Sequence, residues 1–400
     1  MRSTKALQAG AFAISGSFMV VFPLLPALQD RAGISTAQLG WVATAGFIAA
    51  LVAQVLVAPH ADRGRERLVI NGAIVVMALS TLMYAVGDSI VWFVAGRIGA
   101  GLAYGSFIPA AVGVIVRHFP DKQGEQIGRL QALELAGMAV GPLLAVVGKM
   151  SIGVVPTLVA AAVLTLVVGA PALLGPAPAA VAVPVAPVAH VSFVEGLGLL
   201  RHRSVLAAAL VVAAFHIPIG TYDTLFPRFL ADLGTSDWMM GLALMAFAVP
   251  SVFLAAWAGR QVDRLGPFKA AGRGGMANVV VIMSYGLVRV PLVIVVIGLF
   301  ESGGQTLVGA AGAAAMGWAV PGRRAATAQG LGGAIGNMAA AAAAMVAAPL
   351  YAAGGAFALF TCTAIGTGVL LSCGVRLSHE AVPAESRLPR PMPARIPAHA

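Results

Sequence analysis

The chain has 400 residues, of which 59% are hydrophobic and only 10% are charged, and its mean hydropathy is +0.91. Soluble domains carry roughly 25% charged residues, so this composition excludes an ordinary soluble protein. The apolar residues form continuous runs of about 20, the length of a helix that crosses a bilayer. Strands of a membrane barrel would alternate apolar and polar residues instead. We therefore predict an all-α integral membrane protein.

Twelve apolar runs follow one another along the chain, six in each half. The predicted spans of the first half are Ala6–Leu28, Leu39–Ala58, Leu68–Val86, Ile90–Val116, Gln126–Val147 and Ile152–Leu174. Those of the second half are Val205–Leu225, Trp238–Ala258, Ala270–Val288, Pro291–Val320, Thr327–Leu350 and Gly354–Val375. The first run is too long for the apolar core of a typical signal peptide, so we predict that it is the first membrane helix.

The formal net charge is +10, which suggests either nucleic-acid binding or a membrane topology. The positions of the basic residues favour the second. If the N-terminus is cytoplasmic, nearly all basic residues outside the spans lie on the cytoplasmic side; the exceptions are Arg31, Lys149, Arg228 and Arg289. This is the positive-inside bias. We predict a multi-pass protein of the cell membrane with both termini in the cytoplasm and no nucleic-acid partner.

The two halves of the sequence match each other at an offset of 201 residues. The matched positions are Gly33 with Gly234, Gly40 with Gly241, Asp62–Arg63 with Asp263–Arg264, and Gly153 with Gly354. A duplicated unit of six spans is typical of secondary transporters, whose substrate site lies between the halves. We predict two pseudo-symmetric six-helix bundles, residues 1–175 and 204–377. A cytoplasmic linker (176–203) joins them, and a disordered cytoplasmic tail (378–400) follows.

Charged loops lie between spans 2 and 3 and between spans 8 and 9. The second, GRQVDRLGPFK (259–269), resembles the loop signature G-x-x-x-D-R-x-G of the major facilitator superfamily at Gly259, Asp263, Arg264 and Gly266. The first, VAPHADRGRERLVI (57–70), keeps Asp62, Arg63 and Arg65 but has Ala58 at the first glycine position and Gly64 one residue early. The resemblance implies a latch in which the acidic residue bridges the halves on the cytoplasmic side. The alternative is a plain anchor loop.

Span 5 carries a glycine pattern formed by Gly128, Gly137, Gly141 and Pro142. It resembles the antiporter signature G-x8-G-x3-G-P-x-x-G-G of the 12-helix drug:proton antiporters within that superfamily, with Ala145 and Val146 in place of the last two glycines. The resemblance implies proton-coupled efflux of a small amphipathic molecule or drug by alternating access. A same-fold symporter or uniporter that imports a small solute is the alternative, and generic packing of small residues is the alternative for the motif.

Ionisable side chains inside the spans are candidates for proton coupling, because they are costly in a membrane and usually functional. Arg97 and Gly101 of span 4 resemble the family pattern R-x-x-Q-G, with Ala100 in place of Gln. In the family, helices 1, 4, 7 and 10 line the cavity, which would place Arg97, Asp223 and Glu301 together. Glu134 is the fourth candidate; it could instead tie spans 5 and 8 together. Asp223 could instead lie near the outer surface, and His216 is interpreted as an interior histidine.

The predicted substrate cavity is lined by Phe22, Tyr104, Phe107, Phe215, Tyr222, Phe226 and Gln305. The sequence contains no Ser/His/Asp grouping, metal-ligand set or phosphate-binding loop. We therefore expect a transporter and not an enzyme, with no catalytic residue, metal or cofactor. Its expected partners are a small-molecule substrate, protons and membrane lipid, with the chain acting as a monomer. Cys362 and Cys373 are predicted to be buried apolar side chains.

Overall fold

The computed structural model describes residues 4–118, 123–174, 198–319 and 325–381, without the side chains of Asp62, 123–124, 325–329 and 380–381. All regular structure in this part of the chain is helical. The helices are α1 (Thr4–Ala32), α2 (Thr36–Val52), α3 (Glu66–Val86), α4 (Ile90–His118), α5 (Gln123–Ile152), α6 (Val154–Leu174), α7 (Arg203–Asp232), α8 (Asp237–Leu265), α9 (Pro267–Tyr285), α10 (Pro291–Ala319) and α11 (Ala325–Ala381). Two π-helical turns, Ala53–Val57 and Ala61–Arg65, connect α2 to α3.

The predicted all-helical membrane class is confirmed. Each of the first ten predicted spans corresponds to one helix, and the last two both fall within α11. That helix is interrupted at Gly354 and Gly355, whose backbone is not helical. In the described part of the chain, ten helical segments are long and apolar enough to cross a membrane. Helix α9 is not among them, and the two predicted spans of α11 count as one segment.

Six glycines with positive φ reproduce the sequence repeat in the backbone. They form three pairs: Gly33 with Gly234 (φ 63° and 68°), Gly64 with Gly266 (81° and 78°), and Gly153 with Gly355 (90° and 61°). Glycine adopts this left-handed conformation without the steric cost of a Cβ atom. Corresponding turns of the two halves therefore share a glycine with positive φ, although ψ differs within the second pair (7° at Gly64 and 153° at Gly266). The third pair shifts the match predicted for Gly153 by one residue, from Gly354 to Gly355.

Small residues allow the helices to approach closely. In the first half, α1 packs on α5 and α6, α3 on α4 and α6, and α2 on α4; in the second, α7 packs on α11, α8 on α10, and α9 on α10 and α11. A Cβ atom at Gly105 of α4 would lie 2.5 Å from the Ala50 carbonyl oxygen of α2. Glycine at this position therefore permits backbone-to-backbone packing. Two larger contacts join the halves, α2 with α11 and α5 with α8.

The structure corrects some details of the sequence prediction. Cys362 and Cys373 are exposed on α11, because outward-facing positions of a membrane helix are also apolar. Helix α7 continues beyond Leu225 to Asp232, so Asp223 lies inside the helix and not where the chain leaves it. Residues 378–381 of the predicted tail are helical. The rest of the tail and residues 175–197 of the linker region lie outside the described residues.

Candidate functional site

A buried ion pair joins the two halves. Arg97 of α4 pairs with Asp223 of α7, and their side chains are only 7% and 8% exposed. The guanidinium carbon lies 4.7 Å from the ring centroid of Phe18 and 5.1 Å from that of Phe22. Burying a charge is costly unless it is paired. The carboxylate compensates the arginine charge, and the two aromatic faces add cation–π attraction.

Helix α2 makes room for this arginine. A Cβ atom at Gly46 would lie 2.6 Å from Cγ and 2.8 Å from Nε of Arg97. Any side chain at this position would displace the arginine or α2. Neither Gly46 nor Phe18 was singled out from the sequence. The only available signal was a glycine in the span before the arginine, which is weak in a chain with 48 glycines.

A cavity borders the ion pair on its outer side. Its lining is largely apolar, and its volume of about 20 Å³ has room for about one water molecule, so the space is too small for a drug-sized ligand in this state. The lining residues are Val21, Phe22, Leu25, Leu39, Val42, Ala43, Tyr84, Arg97, Asp223 and Thr224. Of the aromatic residues predicted for the substrate cavity, Phe22 is the one that lines this space.

Glu301 of α10 lies in a separate, aromatic environment. Its side chain is buried, and its Oε1 accepts a hydrogen bond of 2.6 Å from the Tyr222 hydroxyl of α7. The Tyr285 ring of α9 lies 6.1 Å from that of Tyr222 and interacts electrostatically with Glu301. Within the described part of the chain, Glu301 forms no ion pair. The sequence placed Arg97 near Glu301, but in this structure the partner of Arg97 is Asp223.

Glu134 of α5 is held by a tyrosine in the first half. The Tyr104 hydroxyl of α4 donates a hydrogen bond to it. The ring centroids of Tyr104 and Phe18 lie 5.5 Å apart, and the Arg97 guanidinium lies over the Phe18 ring. Glu134 therefore links α5 to α4, whereas the structural alternative drawn from the sequence linked span 5 to span 8.

The remaining predicted cavity residues do not share one space. Phe107 is buried in the core of the first half, where a Cβ atom at Gly10 would meet its ring. Phe226 lies in an aromatic cluster with Phe229, Phe247, Tyr285 and Phe360.

Gln305 connects three helices. It accepts a hydrogen bond from Asn278 and donates one to the Phe215 carbonyl oxygen, at 3.0 and 2.8 Å. The Phe215 ring packs on His216, whose Nδ1 lies 2.8 Å from the Val212 carbonyl oxygen. These side chains support helix contacts within the second half.

The span 5 motif packs α5 against α1. A Cβ atom at Gly141 would lie 2.6 Å from the Gly16 carbonyl oxygen and 2.8 Å from Cβ of Met19. Gly137 faces the same backbone, at Gly16. Gly128 has open space where a Cβ atom would stand. The motif therefore contains two glycines required for close packing and one that is not.

We expect Gly141→Leu to destabilise the α1–α5 contact and to stop transport, because overpacking costs about 1–3 kcal/mol. Gly128→Leu is the matched control and should leave both properties unchanged. Thermal unfolding in detergent and transport in proteoliposomes would measure the two variants. Normal transport by Gly141→Leu would contradict the packing role.

The charged loops lie at the opposite end of the helices from the turns at Gly33, Gly153 and Gly234. Arg63 and Arg65 are exposed, as are Asp263 and Arg264. Neither Asp263 nor Arg264 forms an ion pair with another described side chain. The side chain of Asp62 lies outside the described residues. Gly64 and Gly266 form the sharp turns that lead into α3 and α9, and Gly259 has open space around it.

Ion pairs connect the halves at the end that carries the short turns at Gly33, Gly153 and Gly234. We call this contact the outer gate, after the orientation predicted from the sequence. Asp30 of α1 pairs with Arg228 of α7 at 2.8 Å, and Lys149 of α5 pairs with Asp237 of α8 at 2.5 Å. A Cβ atom at Gly241 would lie 2.9 Å from Val146, so α5 and α8 also pack closely there. The halves are thus closed at this end. The signal in the sequence was the set of oppositely charged residues at the outer ends of spans.

Reversing one charge of the gate should open it. Lys149→Glu would face Asp237 with a like charge, and a half-exposed pair is worth up to about 1 kcal/mol, or roughly a fivefold change in the ratio of closed to open states. Distances between spin labels on the exposed residues Ala37 and Val290 would report this ratio. Adding Asp237→Lys restores opposite charges and should return the ratio towards its original value. An unchanged ratio in the single variant would show that the pair does not hold the gate.

The sequence profile described as Major Facilitator Superfamily matches residues 9–344. Among solved structures, a D-xylose-proton symporter aligns with a TM-score of 0.75 at 14% identity, covering 92% of this chain and 96% of that one. A bacterial homolog of the human lysosomal transporter Spinster, in an inward-facing and occupied conformation, aligns with a TM-score of 0.71 at 15% identity, covering 94% and 96%. These similarities concern the fold alone.

Curated relatives match over shorter segments. The Multi-drug resistance efflux pump PmrA homolog of Lactococcus lactis is 28% identical over 140 residues, 34% of each chain. The Quinolone resistance protein NorA of Staphylococcus aureus is 24% identical over 124 residues, 31% of this chain and 32% of that one. The Uncharacterized MFS-type transporter YwfA of Bacillus subtilis (strain 168) is 27% identical over 115 residues, 29% and 28%. This chain thus aligns with about a third of the length of these relatives.

Proposed function

Because the chain belongs to the Major Facilitator Superfamily, and is therefore a multi-pass membrane transporter and not an enzyme, we propose that it exports small amphipathic molecules or drugs in exchange for protons. The span 5 motif supports export, since its two closely packed glycines and Pro142 match the antiporter signature. The names of two matching relatives, an efflux pump and a quinolone resistance protein, agree with this direction.

The observation that carries the proposal is the connection between Glu301 and Arg97 through two consecutive residues of α7. Tyr222 donates a hydrogen bond to Glu301, and the next residue, Asp223, pairs with Arg97 of the other half. A movement of α4 relative to α7 therefore acts on both contacts at once. When the halves rock, the movement of α7 therefore changes the surroundings of the buried Glu301 carboxyl group.

In the proposed cycle, Glu301 carries the proton and the Arg97–Asp223 pair is the switch. A carboxyl group in apolar surroundings is most stable as the neutral acid, and hydrogen bonds or a nearby cation stabilise its anion. When the outer gate opens, α4 and α7 separate and the contact of Tyr222 with Glu301 changes. Glu301 takes up a proton from outside in that state. It releases the proton to the cytoplasm after the gate closes, while the substrate moves in the opposite direction.

The charged loops act as a cytoplasmic latch in the same cycle. Closure of the outer gate in one state requires separation of the halves on the other side. Asp263 and Arg264 are exposed and unpaired with described side chains in the state with a closed gate, which agrees with a released latch. In the outward-open state, Asp62 and Asp263 would pair with arginines across the halves.

The proposed architecture is twelve membrane helices in two pseudo-symmetric bundles, with α11 providing the last two spans on either side of Gly354 and Gly355. The protein lies in the cell membrane with both termini in the cytoplasm, because the basic residues outside the predicted spans concentrate at the end of the molecule that carries the charged loops. The protein works as a monomer surrounded by lipid. Its cavity is shared between α1, α2, α3, α4 and α7.

Purified protein in proteoliposomes would test the exchange of drug for protons. With the membrane potential held at zero by valinomycin and equal potassium, a proton gradient should drive ethidium to accumulate on the more acidic side of the membrane. Accumulation on the more alkaline side would instead identify a symporter, and equilibration without accumulation a uniporter. Either outcome would overturn the proposal in favour of the importing alternative.

A further inference from the structure

Two glutamates in the middle of the membrane, Glu134 and Glu301, have the same kind of environment. Each accepts a hydrogen bond from a tyrosine of a neighbouring helix, Tyr104 for Glu134 and Tyr222 for Glu301. Neither forms an ion pair with a described side chain. Isolated buried carboxylates are costly, and proteins avoid this cost by holding them as neutral acids. The two groups are thus equivalent in chemistry although they belong to different halves.

The positions of the two glutamates place them on either side of the membrane midplane. At a rise of 1.5 Å per residue, Glu134 lies about 5 Å from the middle of α5, towards the end of the helices that carries the charged loops. By the same rise, Glu301 lies about 6 Å from the middle of α10, towards the outer gate. Glu301 is 1% exposed, whereas Glu134 is half-buried. With the outer gate closed, the glutamate on the inner side of the midplane is the more accessible one.

Within the described part of the chain, the helices packed on α5 bring no other group close to Glu134 that would take its proton or compensate its charge, and Arg129 of α5 itself pairs with Glu125. Helix α6 has no titratable residue, and those of α1 and α8 lie near the helix ends. On α4, Arg97 is the only charged residue near the middle, and Asp223 holds it. Around Glu301, the titratable side chains on packed helices near its level are Tyr222, Asp223, His216 and Tyr285.

We propose that Glu134 is a second proton carrier, so that two protons, one on Glu134 and one on Glu301, are exchanged for each substrate molecule. The Arg97–Asp223 pair stays ionised and carries none. Each carboxyl group binds a proton in the outward-open state, keeps it as the neutral acid when the outer gate closes as in this structure, and gives it up as the anion when water reaches it from the cytoplasmic side. This inference rests on the proposed proton exchange and specifies its stoichiometry.

The ratio of ethidium concentrations on the two sides of the membrane, measured when net transport has stopped, gives this stoichiometry. At zero membrane potential, two protons sustain a substrate ratio of about 100 per pH unit and one proton about 10, since each pH unit is a tenfold factor. We expect a ratio of about 100 per pH unit for the unaltered protein and about 10 for Glu134→Gln. Glutamine keeps the size and the acceptor oxygen of the side chain. Glu125→Gln is the matched control, because Glu125 lies on the same helix, exposed and paired with Arg129. It should retain the ratio of about 100 per pH unit.

Proton release gives a second readout that does not require transport. Ethidium binding in weakly buffered detergent solution should release one proton fewer from Glu134→Gln than from the unaltered protein and Glu125→Gln. A ratio of about 10 per pH unit in both the unaltered protein and Glu134→Gln would overturn the second carrier while leaving proton exchange intact. A substrate ratio independent of pH in the unaltered protein would instead overturn the proposed function itself.

Discussion

Glu301→Gln is expected to lower uphill drug accumulation from about 100-fold to about 10-fold per pH unit, because it removes one of the two proton carriers, while exchange of drug across the membrane is preserved. Glutamine keeps the volume of the side chain and an oxygen that can accept the Tyr222 hydrogen bond, but it cannot bind and release a proton. The two halves can therefore still rock with substrate bound, and only the proton on Glu134 still couples them to the gradient. The expected loss is about tenfold per pH unit for accumulation driven by a pH difference and small for exchange at equal pH.

Both rates are measured in the same proteoliposomes, which makes the exchange rate an internal control for folding and insertion. Counterflow of labelled ethidium against unlabelled ethidium reports the exchange. An unchanged accumulation of about 100-fold per pH unit by Glu301→Gln would exclude Glu301 as a proton carrier. Loss of both activities together would also contradict the prediction, because it would place Glu301 in substrate binding or in folding.

The membrane class and the repeat could be predicted from the sequence because they depend on long-range patterns of composition. Continuous apolar runs leave few structural alternatives in a bilayer. The glycines at Gly33 and Gly234 could be matched because a left-handed turn accepts few other residues. Helix ends were less accurate: α7 continues through Pro227, since a helix surrounded by other helices tolerates proline. Apolar patterning also does not separate lipid-facing from buried positions, which is why Cys362 was placed wrongly.

The site residues could be predicted as a set, but their partners could not. Arg97, Asp223 and Glu301 stood out because charges within spans are costly. Which carboxylate pairs with the arginine depends on the rotation of α4, α7 and α10 about their axes and on the state of the gate. The spacing of residues along the sequence determines neither the rotation of the helices nor the state of the gate. The space that Gly46 leaves for Arg97 depends on the approach of α2 to α4, which a single sequence does not reveal.

The second large effect is expected for the ion pair that joins the halves. Asp223→Asn would leave the buried Arg97 without a compensating charge, and removing one partner of a buried pair costs about 3–5 kcal/mol. The variant should unfold at a markedly lower temperature in detergent and should not transport. Arg97→Ala should also stop transport, because Asp223 would then be held as a neutral acid in every state.

A double variant separates the role of the pair in stability from its role in transport. Replacing both residues by apolar ones, with Arg97→Met and Asp223→Leu, removes the uncompensated charge, and such replacements are often neutral for stability. We expect the double variant to recover most of the thermal stability that Asp223→Asn loses, yet to remain inactive in proton-driven transport. The unfolding temperatures of the single and double variants form a cycle that isolates the pair interaction. If the double variant transported ethidium against a gradient, the Arg97–Asp223 pair would serve only to hold the halves together. The switch between states would then have to lie in the remaining contacts that join the halves, at the outer gate and along α2 and α11.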